Sequence, residues 1–205
     1  KKNKRKNEIF LNNVIEKSDL KLEQRSTYQI LKALNFFINE NFPEATVYLE
    51  KYRESPKNFS LDENVLNQQF CSSYHTFLSK LLQVGKFEKY NGQNKIFHIG
   101  ESHCLSFAHQ EIICHGKKFK IEPLITYGAK AFHFSKQKNN EYKAITKFNF
   151  ENLPESSKVF ISFGEIDCRT NEGFVSAIKK DPISIDKLVG RTVNGYLEWF
   201  AALNK

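Results

Sequence analysis

Three short apolar runs in the second half of the chain constrain the fold more than any other feature. KIFHIG (95–100), FKIEPLITYG (119–128) and KVFISFGEID (158–167) each carry an apolar core that leads into a glycine. Strands this apolar are usually buried on both faces, as in a parallel sheet covered by helices. With helical patterns between and after them, they predict an α/β fold: an incomplete three-layer α/β/α, flavodoxin-like parallel sheet over residues 93–205.

Two helices are expected to accompany these strands. The pattern SHCLSFAHQEIICHG (102–116) predicts a helix that stops at its last two residues, because a residue that tolerates a left-handed backbone often ends a helix. The segment 184–205 predicts a second helix, broken or capped near Gly190 or Gly195.

The first half of the chain has a helical pattern, with apolar residues spaced three or four apart. We expect helices over about 44–52 and 63–82, and a change of pattern at the turn signal Asn91-Gly92. Residues 1–92 therefore predict an all-α helical module that offers a surface to a protein partner. LKALNFFINENFPEATVYLEKY (31–52) resembles a tetratricopeptide helix pair, and a generic helical bundle fits the pattern equally well.

Charge and cysteine content narrow the expected partners and compartment. The net charge is +8, and five basic residues lie at the start of the chain: Lys1, Lys2, Lys4, Arg5 and Lys6. Such runs are usually solvated tails, and no RNP-like or zinc-knuckle motif accompanies this one, so no nucleic-acid partner is predicted. The four cysteines lack CxxC spacing, which favours free thiols in a reducing compartment.

No apolar run is long enough to span a membrane and no secretory signal is visible, so the cytoplasm is the default expectation for location. The chain starts with lysine and has no methionine, which favours a fragment of a longer protein.

Ser102 lies just past the first predicted strand, at the start of the predicted helix. Open parallel sheets bind ligands outside the carboxyl ends of their strands. A serine there can attack a carbonyl group while its own backbone N–H, unpaired at a helix start, holds the resulting oxyanion. The alternative interpretation is that Ser102 is simply an N-cap.

The second and third strands lead to further polar groups. Gly128 ends the second strand, and its N–H can face Ser102. Gly164 ends the third and is followed by Glu165, Asp167 and Arg169. Three strand ends of this kind predict one shared crevice. Glu165, Asp167 and Arg169 are interpreted equally well as an ion-pair and hydrogen-bond cluster that fixes the loop.

Four histidines lie close together in the sequence, but they do not predict a metal site. Their spacings do not place them on one helix face, and no cofactor motif is present: His98, His103, His109 and His115.

Three blocks of this half resemble a known family. IGESH (99–103) resembles the first block of the SGNH/GDSL-like hydrolases, with Glu101 where aspartate is usual. TYGAKAFHF (126–134) resembles the second block, and ISFGEIDCR (161–169) resembles the third. The resemblance implies that Ser102 is a catalytic nucleophile and that Gly128 donates an oxyanion hydrogen bond. It implies hydrolysis of an ester or removal of an acetyl group, with a sugar or glycan as the suggested substrate class.

The chain departs from the family pattern at two parts of the catalytic site, an oxyanion donor and the base. Ile166 stands where the family has an asparagine that donates to the oxyanion, and Arg169 is the candidate replacement because a guanidinium is a strong donor. The family's Asp-x-x-His block, which supplies the base, does not occur. We expect the base beyond Lys205 and reject His103, since neighbours along a chain rarely face each other productively. A non-catalytic binding protein on the same scaffold is the alternative hypothesis.

Overall fold

A computed structural model of the chain describes residues 22–55, 65–85, 87, 92, 94–180 and 183–203. The chain divides into two compact units, Lys1–Phe87 and Glu88–Lys205. The basic run at the start of the chain and Asn91 of the predicted turn lie outside the described residues.

The described residues of the first unit form three helices: α1 (Leu22–Ile38), α2 (Phe42–Glu54) and α3 (Val65–Val84). The Asn41 side chain accepts a hydrogen bond from the Glu44 N–H, and Pro43 occupies the first turn, so α2 has both common start signals. The helices pack pairwise around a core that includes Phe37, Leu49 and Leu78. The described helices include none that is long and apolar enough to cross a membrane.

The second unit is built on a sheet of four strands: β1 (Lys95–Gly100), β2 (Glu111–Cys114), β3 (Lys117–Ile125) and β4 (Lys158–Ser162). The strand order is β2-β3-β1-β4. β1 pairs in parallel with both β3 and β4, whereas β2 pairs antiparallel with β3. The α/β class is therefore confirmed, and the sheet is mixed rather than purely parallel.

The predicted helix over 102–116 is wrong. The structure has a 3-10 helix over Ser102–Phe107 and then strand β2, which forms a hairpin with β3. His115 and Gly116, read from the sequence as a helix stop, form the hairpin turn with φ of 49° and 72°. Two-residue hairpin turns of type I′ need a positive φ at both positions, and helix ends use the same conformation, so this signal has two meanings.

In the described part of the second unit, four α-helices and a second 3-10 helix (Ile166–Cys168) accompany the sheet. The α-helices are α4 (Ala131–Ser135), α5 (Glu141–Glu151), α6 (Phe174–Lys180) and α7 (Ile185–Leu203). α7 runs through Gly190 and Gly195 without the predicted break. At Gly195 the helix lies so close to α4 that an added Cβ would sit 2.8 Å from the Cα of Ser135. Glycine there serves close helix packing instead of helix termination.

Aromatic side chains fix α7 against α4 and β4. The buried centre of this cluster is Ala129, Phe134 and Phe200. Trp199 lies against it, with its ring centroid 5.0 Å from that of Phe134. Because α4 has only five residues, this packing rather than helix propensity holds it in place.

The end of β1 lies unusually close to β4. A Cβ added at Gly100 would sit 2.6 Å from the Oγ of Ser162 and 2.8 Å from its carbonyl oxygen. The Ser162 Oγ is held by a 2.7 Å hydrogen bond with Nε2 of His98, which lies two residues earlier on β1. Only glycine fits at position 100.

Candidate functional site

The carboxyl ends of the three parallel strands lie side by side. Gly100 is paired with Ile125 on β3 and with Ser162 on β4. Beyond these pairs, the Thr126 N–H donates to the Gly100 carbonyl at 2.7 Å, and the Glu101 N–H donates to the Ser162 carbonyl at 3.3 Å. The segments that follow the strands therefore start next to one another.

Ser102 is the first residue of the 3-10 helix and is partly exposed. Glu101 occupies the N-cap position and no side chain caps this helix, so the N-cap interpretation of Ser102 does not hold. The helix is a six-residue 3-10 helix instead of a long α-helix, so the expected contribution of a helix dipole at Ser102 is small. Within the described residues, no hydrogen bond or ion pair involves the Ser102 side chain.

Gly128 lies exposed on the segment after β3, with φ of 69°. That is the left-handed region, where other residues are strained. The nearest atoms to an added Cβ belong to the Tyr142 ring at 3.9 Å, so backbone conformation and not space requires glycine here. Gly164, on the segment after β4, also has a positive φ, of 131°.

Asp167 is buried, with an exposure of 2%, and its carboxylate holds two loop segments together. Its carboxylate accepts hydrogen bonds from the N–H groups of Ala131 at 2.7 Å and Phe132 at 3.2 Å. It thereby caps α4 from the segment that follows β4 and ties the second and third predicted blocks together. For Asp167, the loop-fixing interpretation describes these contacts.

Glu165 and Arg169 form an ion pair. The Nε of Arg169 donates to both oxygens of Glu165 at 3.1 Å, and its Nη1 donates to Glu172 at 3.3 Å. The hydrogen bond from Arg169 lowers the pKa of the Glu165 carboxyl. The Nε, Nη1 and Nη2 atoms of Arg169 therefore all face carboxylates. Ile166, at the position of the family asparagine, is buried and has no side-chain donor.

Glu101, His103 and Glu165 form a group that the sequence interpretation did not identify. Nδ1 of His103 lies 3.4 Å from Oε1 of Glu101 and 3.6 Å from Oε2 of Glu165. Burial raises the pKa of the Glu101 carboxyl, and His103 opposes that shift. We call these three residues the Glu-His-Glu cluster. The available signal was that Glu101 and His103 follow the first predicted strand and Glu165 follows the third.

The other histidines of the second unit have separate surroundings. Nδ1 of His133 accepts a hydrogen bond from the Lys130 N–H at 3.0 Å, and its ring stacks on Tyr142 at 4.1 Å. Burial is the main cause that lowers the pKa of His133. With Nδ1 acting as an acceptor, the ring proton is on Nε2, so the neutral ring has no free acceptor nitrogen. Burial likewise lowers the pKa of His98.

A cavity of about 910 Å³ borders the segment after β4 and helices α4, α6 and α7. Its lining has more cationic than acidic side chains, together with apolar residues such as Phe174 and Leu188. The cationic residues are Lys130, Lys136, Lys180 and Arg191, and the acidic ones are Asp167 and Glu172.

Comparisons with protein-family models, curated proteins and solved structures find no match for this chain. The likeness to SGNH/GDSL-like hydrolases therefore rests on the three sequence blocks alone.

Proposed function

We propose that this protein is a serine hydrolase of SGNH type that acts on an ester or acetyl group. One observation carries the proposal. The parallel strands occur in the order β3-β1-β4, so the second strand lies on one side of the first and the third on the other. In open α/β sheets, ligands bind where the order reverses in this way, outside the carboxyl ends. Ser102 directly follows β1, the strand at that point.

The same order supports the finer fold proposal. Flavodoxin-like sheets have the parallel strand order 2-1-3-4-5, and β3-β1-β4 has the order 2-1-3. The hairpin strand β2 adds an antiparallel edge, which is common on such sheets. We therefore keep the three-layer α/β/α, flavodoxin-like domain as part of this proposal.

In the proposed reaction, the Ser102 Oγ attacks the acyl carbon of the ester. The hydroxyl proton passes to a base, and the carbonyl oxygen becomes an oxyanion held by the N–H groups of Ser102 and Gly128. The alcohol leaves with a proton, and water then hydrolyses the acyl-serine to the acid. His133 is not the base, since its acceptor nitrogen is taken by the Lys130 N–H. A sugar or glycan ester is the substrate class that the family resemblance suggests.

A second candidate is a non-catalytic binding protein on the same scaffold. Two observations favour it: Ile166 cannot donate to an oxyanion, and Arg169 is paired with two carboxylates. The cavity lined by Lys130, Lys136, Lys180 and Arg191 then suits an anionic ligand, because cationic walls favour negative charge.

The test is hydrolysis of p-nitrophenyl acetate by the wild type and by Ser102→Ala. Loss of a nucleophile typically costs several orders of magnitude in rate, so the variant should fall to background while its circular dichroism is unchanged. Ser106→Ala is the matched control, a partly exposed serine of the same 3-10 helix, and should keep the wild-type rate. Wild-type turnover retained in Ser102→Ala contradicts the nucleophile assignment. Absence of turnover in the full-length protein favours the binding protein.

A further inference from the structure

The Glu-His-Glu cluster lies between the segments that follow β1 and β4. Glu101 and His103 come from the first segment and Glu165 from the second. One potential ligand atom from each side chain lies within 4.8 Å of the other two. Nδ1 of His103 faces both carboxylates, so the three potential metal ligands converge on one point.

Glu101 supplies an independent sign that a ligand is involved. The residue is 2% exposed, and its Oε2 is shielded from solvent with no hydrogen-bond partner among the described residues. Buried carboxylates are normally paired, fully hydrogen-bonded or bound to metal, since an isolated buried charge is strongly disfavoured. Among the described residues, the ion-pair partner of its other oxygen is His103, whose Nδ1 is 3.4 Å away, which is long for a charge-assisted hydrogen bond.

The spacing of the donors fits a small divalent cation. Two metal–ligand bonds of about 2.1 Å that meet at the tetrahedral angle place their ligand atoms about 3.4 Å apart. The distances from His103 Nδ1 to the two carboxylates are 3.4 and 3.6 Å. All three ligand atoms lie within 4.8 Å of one another, so a cation bound by all three would need movement of the two exposed side chains, His103 and Glu165.

We propose that Glu101, His103 and Glu165 form a divalent cation site of the Zn²⁺ class. One imidazole and two carboxylates are three protein ligands, the number typical of zinc sites that keep a position open to water or substrate. His103 and Glu165 have side chains that are 52% and 44% exposed, so the open position faces solvent. The imidazole favours Zn²⁺ over Mg²⁺ and Ca²⁺, which prefer oxygen ligands. This proposal does not depend on ester hydrolysis.

Arg169 is the main competitor for the site. Its Nη2 lies 2.9 Å from Oε2 of Glu165, the same oxygen that faces His103. When the cation binds, Arg169 keeps its contact with Glu172, 3.3 Å away. Three carboxylates and one guanidinium then lie around the site, so the charge of these groups is negative and favours a cation.

The test is calorimetric titration of the metal-stripped full chain with ZnCl₂, alongside MgCl₂ as a comparison. We expect one Zn²⁺ per chain with no matching Mg²⁺ binding. His103→Ala and Glu165→Gln should each weaken Zn²⁺ binding by about tenfold or more, the lower end of what disturbed metal sites lose. Glu198→Gln is the matched control: it removes an exposed carboxylate of α7 that lies outside the cluster and the Arg169 network, and it should leave Zn²⁺ affinity within about twofold of the wild type.

Two further measurements separate a true site from adventitious binding. Zn²⁺ should raise the melting temperature of the wild type and of Glu198→Gln but not of His103→Ala, and Co²⁺ should give visible absorption bands that Glu165→Gln weakens. Zn²⁺ binding that is unchanged in both cluster variants, or absent from the wild type, overturns the proposal. Repeating the ester assay with a chelator shows whether hydrolysis depends on the cation, so the cation-site proposal and the Ser102 proposal can fail independently.

Discussion

Replacing Asp167 tests how the segments after β3 and β4 are held together. The Asp167 carboxylate accepts hydrogen bonds from the N–H groups of Ala131 at 2.7 Å and Phe132 at 3.2 Å. A hydrogen bond to a charged group contributes about 1.5–3 kcal/mol, and an N-cap about 0.5–2 kcal/mol. Phe132 is exposed, so water replaces part of the second bond. We therefore expect Asp167→Ala to lower the free energy of unfolding by about 2–4 kcal/mol.

Asp167→Asn should cost less. Asparagine keeps one oxygen acceptor and turns the other oxygen into an amide donor, so one of the two bonds survives. We expect a loss of about 1–2 kcal/mol, close to half of that for alanine.

Urea unfolding followed by tryptophan fluorescence measures the loss of stability in Asp167→Ala and in Asp167→Asn. The signal reports on the second compact unit, which contains Asp167 and the tryptophan. Trp199 is the single tryptophan, and its ring packs 5.0 Å from Phe134 on the helix that Asp167 caps. Asp186→Asn, an exposed aspartate on α7, is the control and should change stability by no more than about 0.5 kcal/mol. If Asp167→Ala is as stable as this control, the two hydrogen bonds do not hold the segments together and the argument fails.

Two further predictions concern α7 and the cysteines. Gly195→Ala should lower the free energy of unfolding by about 1–3 kcal/mol, because the new methyl group meets Ser135, whereas Gly190→Ala, with open space around it, should raise it by about 0.5–1 kcal/mol. Equal urea midpoints for the two variants would show that α4 and α7 are not in close contact. Iodoacetamide at mildly alkaline pH should label exposed Cys168 but not Cys104, which is buried and whose pKa burial raises to about 12. Peptide mass spectrometry measures both sites, and rapid labelling of Cys104 in the folded protein would contradict its burial.

The strands that carry the candidate site were predictable because their apolar runs are short and nearly continuous. β1 has the predicted bounds, 95–100. The other two strands were predicted to extend too far toward their carboxyl ends. β3 ends at Ile125 and β4 at Ser162, before the positive-φ glycines Gly128 and Gly164. A glycine in that conformation interrupts extended backbone, and its φ cannot be read from its identity.

Strand β2 was missed for a different reason. It is an edge strand of four residues, and Ile113 on it is 77% exposed. The strand is so short that its few apolar residues fit the period of a helix as well as that of a strand. The pairing with β3, a tertiary contact, decides the structure.

The Glu-His-Glu cluster was beyond sequence reasoning. His103 and Glu165 meet only because β1 and β4 are neighbours, although many residues separate them in the chain. The sequence placed polar groups at both strand ends, which predicted a shared crevice. It does not contain the side-chain directions that turn His103 toward two carboxylates or Arg169 toward Glu165.

The tight approach of β1 to β4 at Gly100 means that the residues of the IGESH block are not equally informative about catalysis. Any side chain at position 100 would collide with Ser162, so packing alone retains this glycine whether or not the protein reacts with an ester. A related sequence that lost Ser102 but kept Gly100 would have kept the sheet and given up the nucleophile. In such a lineage, variation at position 102 would record selection on activity, and constancy at position 100 would record only the contact between two strands.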